Sequence, residues 1–144
     1  MKTPTWIRYV LWVAGLYNIA FGIFIVSFPL ALFRWGGLDL PRYPQIWQCV
    51  GMIVGVYGVG YAIAAEAPCQ HWPIVLVGLL GKVFGPIGFL FAAMHGELPW
   101  VAGWVNVFND LIWLGPFAAI LWHVHRAKCY ASGNEEQMPT DFRS

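Results

Sequence analysis

The sequence predicts an all-α, polytopic membrane protein that folds as an antiparallel bundle of four transmembrane helices. Of its 144 residues, 59% are hydrophobic and 10% are charged, whereas about 25% of residues are charged in a soluble domain. Four apolar stretches cover approximately residues 7–33, 45–65, 73–94 and 100–125. Each reaches the roughly 20 residues that a helix needs to cross the bilayer. No strands with alternating polarity, as in a membrane barrel, are apparent.

The first stretch is predicted to be a retained transmembrane helix rather than a cleaved signal. Lys2 and Arg8 precede it, as they would precede a signal, but the apolar run continues past Phe28. A cleavable signal has an apolar core of only about 7–15 residues.

Prolines mark where the other three helices begin. After a predicted loop over residues 34–44, Pro44, Pro73 and Pro99 stand at or just before the next helices, where a proline loses no helical hydrogen bond. The two later connections are short, so successive helices are expected to be antiparallel neighbours.

Small residues are predicted to bring the helices into close contact. The second helix carries the pair Gly51 and Gly55, and the third helix carries Gly81 and Gly85. Both pairs have the small-xxx-small spacing that allows another helix to approach closely.

Two ionisable residues fall midway along apolar helices and form the candidate site. Lys82 and Asp110 each lie about ten residues into their helices, so antiparallel neighbours would hold them at similar depth. An unpaired charge at mid-bilayer costs about 2.5–3.5 kcal/mol, and pairing is therefore expected. Pro86 has no N–H for the carbonyl of Lys82, which predicts a bend and a free acceptor beside the charge.

Amide side chains are predicted to extend this polar centre. The candidates are Asn18, Gln48, Asn106 and Asn109. The charged pair is either a ligand, proton or ion site or a structural contact that fixes the helix register, whereas for the amides the structural role is favoured.

The remaining titratable residues give no catalytic, metal or cofactor signal. Cys49, Cys69 and Cys129 are odd in number and form no CxxC pair, so thiols rather than a disulfide framework are expected. His123 and His125 are two residues apart, and helical metal ligands are instead three or four apart.

No nucleophile and base pattern is visible, so an enzyme is the least supported class. A net charge of +1 without a basic run argues against a nucleic-acid partner.

The distribution of basic residues predicts that both termini are cytoplasmic. Four basic residues flank the end with the termini and two flank the other end: Lys2, Arg8, Arg126 and Lys128 against Arg34 and Arg42.

Residues 1–128 are assigned to the transmembrane domain. Residues 129–144 contain too few apolar residues to fold alone and are predicted to be a disordered cytoplasmic tail.

Four motifs resemble a family of small bacterial four-helix membrane proteins with a DoxX-like architecture. They are YPQIWQCVGM at residues 43–52, HWPIV at 71–75, GKVFGP at 81–86 and NDLIW at 109–113. The resemblance covers residues 5–125 and implies a location in the bacterial inner membrane, but it supplies no catalytic residues. Relatives are sometimes labelled alkyl hydroperoxide reductase. A thiol peroxidase needs an activated cysteine in a soluble domain, for which this chain has no room.

Three functions are compatible with a buried polar centre in the bilayer. Binding of a small amphipathic or lipid-like molecule predicts an enclosed polar cavity beside Lys82 and Asp110. An accessory subunit for another membrane protein predicts a tightly packed interior and an exposed small-residue or aromatic patch that recruits that protein. Proton-coupled transport, the alternative, requires water access from both sides and, with four helices, a homo-oligomer.

Overall fold

The computed structural model describes the backbone of residues 4–136 and the side chains of residues 4–126. Within this part of the chain, all regular secondary structure is helical. Four helical spans are long and apolar enough to cross a membrane: Thr5–Ser27, Pro44–Glu66, Trp72–Met94 and Trp100–Arg126. The predicted all-α, four-helix fold is confirmed, and the chain is a multi-pass membrane protein.

The first predicted helix, at residues 7–33, is divided into two. Helix α1 covers Thr5–Ser27, and a short helix, α2, covers Ala31–Trp35. The break falls at Pro29, which cannot donate a backbone hydrogen bond and whose ring would clash with the carbonyl four residues earlier. The chain therefore resumes after the break as a separate short helix.

The second and third spans are continuous helices that begin at prolines. Helix α3 covers Pro44–Glu66 and helix α4 covers Trp72–Met94. Pro86 lies inside α4, which continues through it as one helix. Gly96 follows α4 with a φ of 73°, a left-handed conformation that glycine adopts without strain.

The fourth span is not the uniform helix that was predicted for residues 100–125. A 3₁₀ turn at Trp100–Ala102 leads into helix α5 at Gly103–Asn106, a π-helical segment at Val107–Leu111, and helix α6 at Ile112–Glu136. In the π segment, the Ile112 N–H donates to the carbonyl of Val107, five residues earlier. Such wide turns occur frequently at functional sites.

The structure also differs from the prediction for the C-terminal tail. Helix α6 continues to Glu136, whereas residues 129–144 were predicted to be disordered. Extending a formed helix avoids the cost of nucleation, so residues that could not fold alone can continue it. The predicted disorder of residues 137–144 lies outside the described part of the chain.

Helices α1 and α3 form a closely packed hairpin through their glycines. A Cβ atom on Gly22 would lie 2.6 Å from the carbonyl oxygen of Gly51, and one on Gly58 would lie 2.7 Å from the carbonyl oxygen of Gly15. The two backbones therefore touch, as small-residue seams permit in membranes. Gly55 is also on this seam, 2.9 Å from the Cβ position of Gly22.

Helix α4 and the fourth span form the second hairpin, and the two hairpins meet mainly at one end. Contact between α3 and α4 is sparse, although they are consecutive. At the end of the bundle where α1 starts and α3 stops, which we call the closed end, all four spans share a buried core. Its members are Ile7, Leu11, Ala14, Tyr61, Ala64, Ala65, Val75, Trp113, Phe117, Ile120 and Val124. The opposite end, which carries α2 and residues 100–102, is called the open end.

Candidate functional site

Lys82 and Asp110 form a buried ion pair between α4 and the π segment. The Lys82 Nζ lies 3.7 Å from the Asp110 Oδ1, and the two side chains are only 5% and 12% exposed. The expectation of a buried pair is therefore met. Both residues belong to the second hairpin, so the pair joins two consecutive spans.

Asn109 bonds to both partners of the ion pair. The Lys82 Nζ donates to the backbone carbonyl of Asn109 at 2.6 Å. The Asn109 Nδ2 donates to the Asp110 Oδ1 at 3.0 Å. A regular helix would use that carbonyl in its own ladder, and an outside donor is a recognised cause of local irregularity in a helix. The bond from Lys82 and the irregular geometry of the π segment are therefore consistent with each other.

The second oxygen of the carboxylate is left for other contacts. The Asp110 Oδ2 takes part in neither of these bonds and faces Gly85, where a Cβ atom would lie 3.0 Å from it. The Asn109 Oδ1 is buried and accepts no hydrogen bond from the described residues. The Asn109 Oδ1 is thus a buried acceptor without a partner among the described residues, and the Asp110 Oδ2 is engaged by neither Lys82 nor Asn109.

A small cavity of about 150 Å³ lies on one side of the pair. We call it the inner cavity. It is lined by Asn18, Ile53, Val54, Tyr57, Tyr61, Gly78, Gly81, Lys82, Asn109 and Asp110.

A larger cavity of about 490 Å³ lies on the other side, toward the open end. We call it the aromatic cavity, because Phe21, Phe33, Trp47, Phe89 and Trp104 form much of its wall. Leu32 and Leu38, from α2 and the loop after it, also line it.

The two cavities are lined by different residues of the polar centre. Asn109 and Asp110 line both of them, whereas Lys82 lines only the inner cavity and Asn106 only the aromatic cavity. The lining of the aromatic cavity therefore contains one carboxylate and two side-chain amides from the polar centre, and Lys82 is not part of it.

The structure brings together most of the predicted polar centre, but not Gln48. The Gln48 Nε2 donates to the carbonyl of Val26 at 2.8 Å and lines neither cavity. Gln48 lies near the start of α3, at a different depth from the middle of α4. Its amide joins the end of α1 to the start of α3.

The two glycines of α4 do not form a helix-packing seam. A Cβ atom on Gly81 would have no neighbour within 4 Å, and Gly85 approaches the Asp110 side chain rather than a helix backbone. Both instead contribute to the cavity walls. Gly51 and Gly55 of α3 thus lie against the backbone of α1, whereas neither Gly81 nor Gly85 of α4 lies against a helix backbone.

Several lining residues were not identified from the sequence. Tyr57 and Tyr61 line the inner cavity, and their spacing of one helical turn, in register with Val54, could have indicated a shared face. The aromatic lining could not be separated in the sequence from the aromatic residues of the bilayer interface.

The described residues contain no group of three or more histidine, cysteine, aspartate or glutamate side chains that could hold a metal ion. Cys49 and Cys69 are not in disulfide bonds. The side chain of Cys129 lies outside the described part of the chain.

Comparison with known proteins does not assign the chain to a family. No family model matches it, and no solved structure matches it. A segment of 65 residues, 42% of the chain, is 42% identical to 8-amino-7-oxononanoate synthase of Azoarcus sp. (strain BH72). That segment spans only 16% of the synthase, so the similarity is local and does not define the function of this membrane protein.

Proposed function

We propose that the chain binds a small amphipathic or lipid-like molecule in the aromatic cavity, with the polar part of the molecule at Asp110. The observation that carries this proposal is the cavity itself, about 490 Å³ in volume, with a mostly apolar lining that includes the polar side chains of Asn106, Asn109 and Asp110. Small-molecule pockets typically have volumes of about 300–1,000 Å³ and a few convergent polar groups. An ionisable residue inside the membrane also marks a functional site by default.

The divergence of α3 from α4 supports entry from the lipid. Val50 and Val54 of α3 and Gly85 and Gly88 of α4 line the cavity, and contact between these two helices is sparse. A molecule dissolved in the bilayer could move between them without crossing the aqueous interface.

The other two functions have less support. An accessory role predicted a tightly packed interior, and the cavities argue against it. Proton-coupled transport needs water on both sides of the polar centre, but Tyr61, Phe117 and Ile120 are fully or almost fully buried at the closed end. The proposal also includes a DoxX-like relationship and a location in the inner membrane. Neither of these identifies the ligand.

Filling the cavity tests the proposal. Gly88 lines the aromatic cavity, and a Cβ atom there would meet nothing within 4 Å, so Gly88→Leu adds volume without a backbone clash. Gly115 provides the matched control, because its Cβ position is equally open and it lines neither cavity.

The three proteins would be purified in mild detergent, and their small-molecule content would be measured by native mass spectrometry and solvent extraction. We expect a bound molecule in near-stoichiometric amount on the wild type and on Gly115→Leu, and its loss from Gly88→Leu. Equal amounts on all three proteins, or none on the wild type, would contradict binding in this cavity.

A further inference from the structure

The inner end of the aromatic cavity offers hydrogen-bond acceptors. Asp110 is 8% exposed, and its Oδ2 is not used by Lys82 or Asn109, which both engage Oδ1. The Oδ2 faces Gly85, which lines the aromatic cavity, so a molecule in the cavity can reach this acceptor. A ligand that fills the cavity excludes water from this oxygen, and one that brings no donor then leaves the acceptor unpaired, which carries a desolvation cost.

The lysine does not offer a matching donor to the same cavity. Its Nζ donates to the Asn109 carbonyl and pairs with the Oδ1 of Asp110, and Lys82 lines only the inner cavity. A phosphate or sulfonate headgroup in the aromatic cavity would therefore meet the carboxylate before it met the ammonium group. Like charges at close range in a low-dielectric site repel strongly.

The balance of charge argues against a cationic headgroup as well. Lys82 and Asp110 already neutralise each other, and the aromatic cavity contains no second acidic residue. A bound cation would leave one uncompensated charge at mid-membrane depth, which is costly. A neutral donor satisfies the acceptor without adding charge.

We propose, on the basis of the proposed function, that the ligand is a neutral, hydroxyl-bearing apolar molecule whose hydroxyl group donates to the Asp110 Oδ2. The class includes long-chain and cyclic alcohols and lipids with an unmodified glycerol hydroxyl. Specificity follows because a site that is built to bind a hydroxyl rejects an analogue that lacks it.

A set of four probes with the same chain and different headgroups tests this proposal. They are a medium-chain alcohol, its methyl ether, the corresponding primary amine and the corresponding sulfonate, each brominated at the far end of the chain. Bromine quenches tryptophan fluorescence, and Trp47 and Trp104 line the cavity. Binding would be measured in nanodiscs per mole of probe in the bilayer, so that differences in partitioning do not enter. The quenching that persists in Gly88→Leu would be subtracted as background.

We expect the alcohol to bind about tenfold more tightly than the ether, because tenfold corresponds to about 1.4 kcal/mol, within the range for leaving a buried acceptor unpaired. The amine and the sulfonate should also bind more weakly than the alcohol. In the variant Lys82→Met/Asp110→Leu, which removes the acceptor without leaving a charge unpaired, the preference for alcohol over ether should disappear.

The outcomes separate the two proposals. If no probe shows quenching that depends on Gly88, the cavity is not a binding site and the proposed function fails. If the probes bind in a Gly88-dependent way but the ether, amine or sulfonate equals or exceeds the alcohol, the cavity binds ligands and the hydroxyl assignment is wrong. The wild-type comparison decides this even where the double variant does not fold.

Discussion

Lys82 and Asp110 should behave as one energetic unit in a double-mutant cycle. Lys82→Met removes the positive charge, Asp110→Asn removes the negative charge, and the double change removes both. Each single change leaves a charged group in a site where the side chains are only 5% and 12% exposed. The double change leaves no charge, so it should cost less than the sum of the single changes.

The magnitude follows from the burial and the remaining bonds. Breaking a buried ion pair typically costs about 3–5 kcal/mol. Here the lysine would keep its bond to the Asn109 carbonyl, and the carboxylate would keep the Asn109 amide. We therefore expect about 2–3 kcal/mol for each single change, at or below the low end of that range, and a coupling energy of about 1–3 kcal/mol.

Reversible unfolding in mixed detergent micelles, followed by circular dichroism, would measure these free energies. The exposed pair Arg8 and Glu66 is the matched control: its N–O distance is shorter, at 3.1 Å, but its side chains are 47% and 62% exposed. Exposed pairs contribute at most about 1 kcal/mol, so Arg8→Met and Glu66→Gln should be nearly additive. A coupling below about 0.5 kcal/mol for Lys82 and Asp110, or one no larger than the control, would refute the conclusion that burial makes the pair a unit.

Two further predictions concern glycines. Gly22→Ala should destabilise the fold by about 1–3 kcal/mol, because its Cβ would lie 2.6 Å from the Gly51 carbonyl oxygen; Gly115→Ala, in open space, should be neutral or stabilising in the same unfolding assay. An equal cost for both would contradict the tight seam. Gly78→Ala should also destabilise, because its Cβ would collide with the Tyr61 hydroxyl; Tyr61→Phe should restore only part of the loss, because a ring carbon lies 2.6 Å from the same position. Recovery of all the lost stability, or of none of it, would contradict this account of the contact between Gly78 and the Tyr61 ring.

The sequence was sufficient for features that depend on one helix, or on the depth at which a residue lies within its helix. Apolar length gave the four spans, and the prolines at residues 44 and 73 lie within the first turns of their helices. The partnership of Lys82 and Asp110 was predictable because equal depth in consecutive antiparallel helices leaves few alternative partners. The cost of an unpaired charge then selects the pair.

Features that depend on how helices diverge were not predictable. The spacing of Gly81 and Gly85 is the same as that of Gly51 and Gly55, yet only the α3 pair meets a helix backbone. Spacing identifies a face but not what lies opposite it. The π segment was likewise hidden, because it is associated with a bond from Lys82 to a backbone carbonyl, and the sequence gives no sign of such a tertiary contact.

Polar and apolar contacts are distributed differently over the bundle. The side-chain hydrogen bonds and ion pairs described above stay within hairpins: Arg8 with Glu66 and Gln48 with Val26 in the first, Lys82 with residues 109 and 110 in the second. Between the hairpins, the contacts of the described residues include aromatic and apolar packing, such as the edge-to-face packing of Tyr61 on Phe117 at 5.0 Å. Polar bonds have strict geometry, whereas apolar contacts are non-directional. The aromatic cavity lies between the hairpins, whereas the bonds that hold Asp110 in place lie within the second hairpin, so a change in the width of the cavity need not break them.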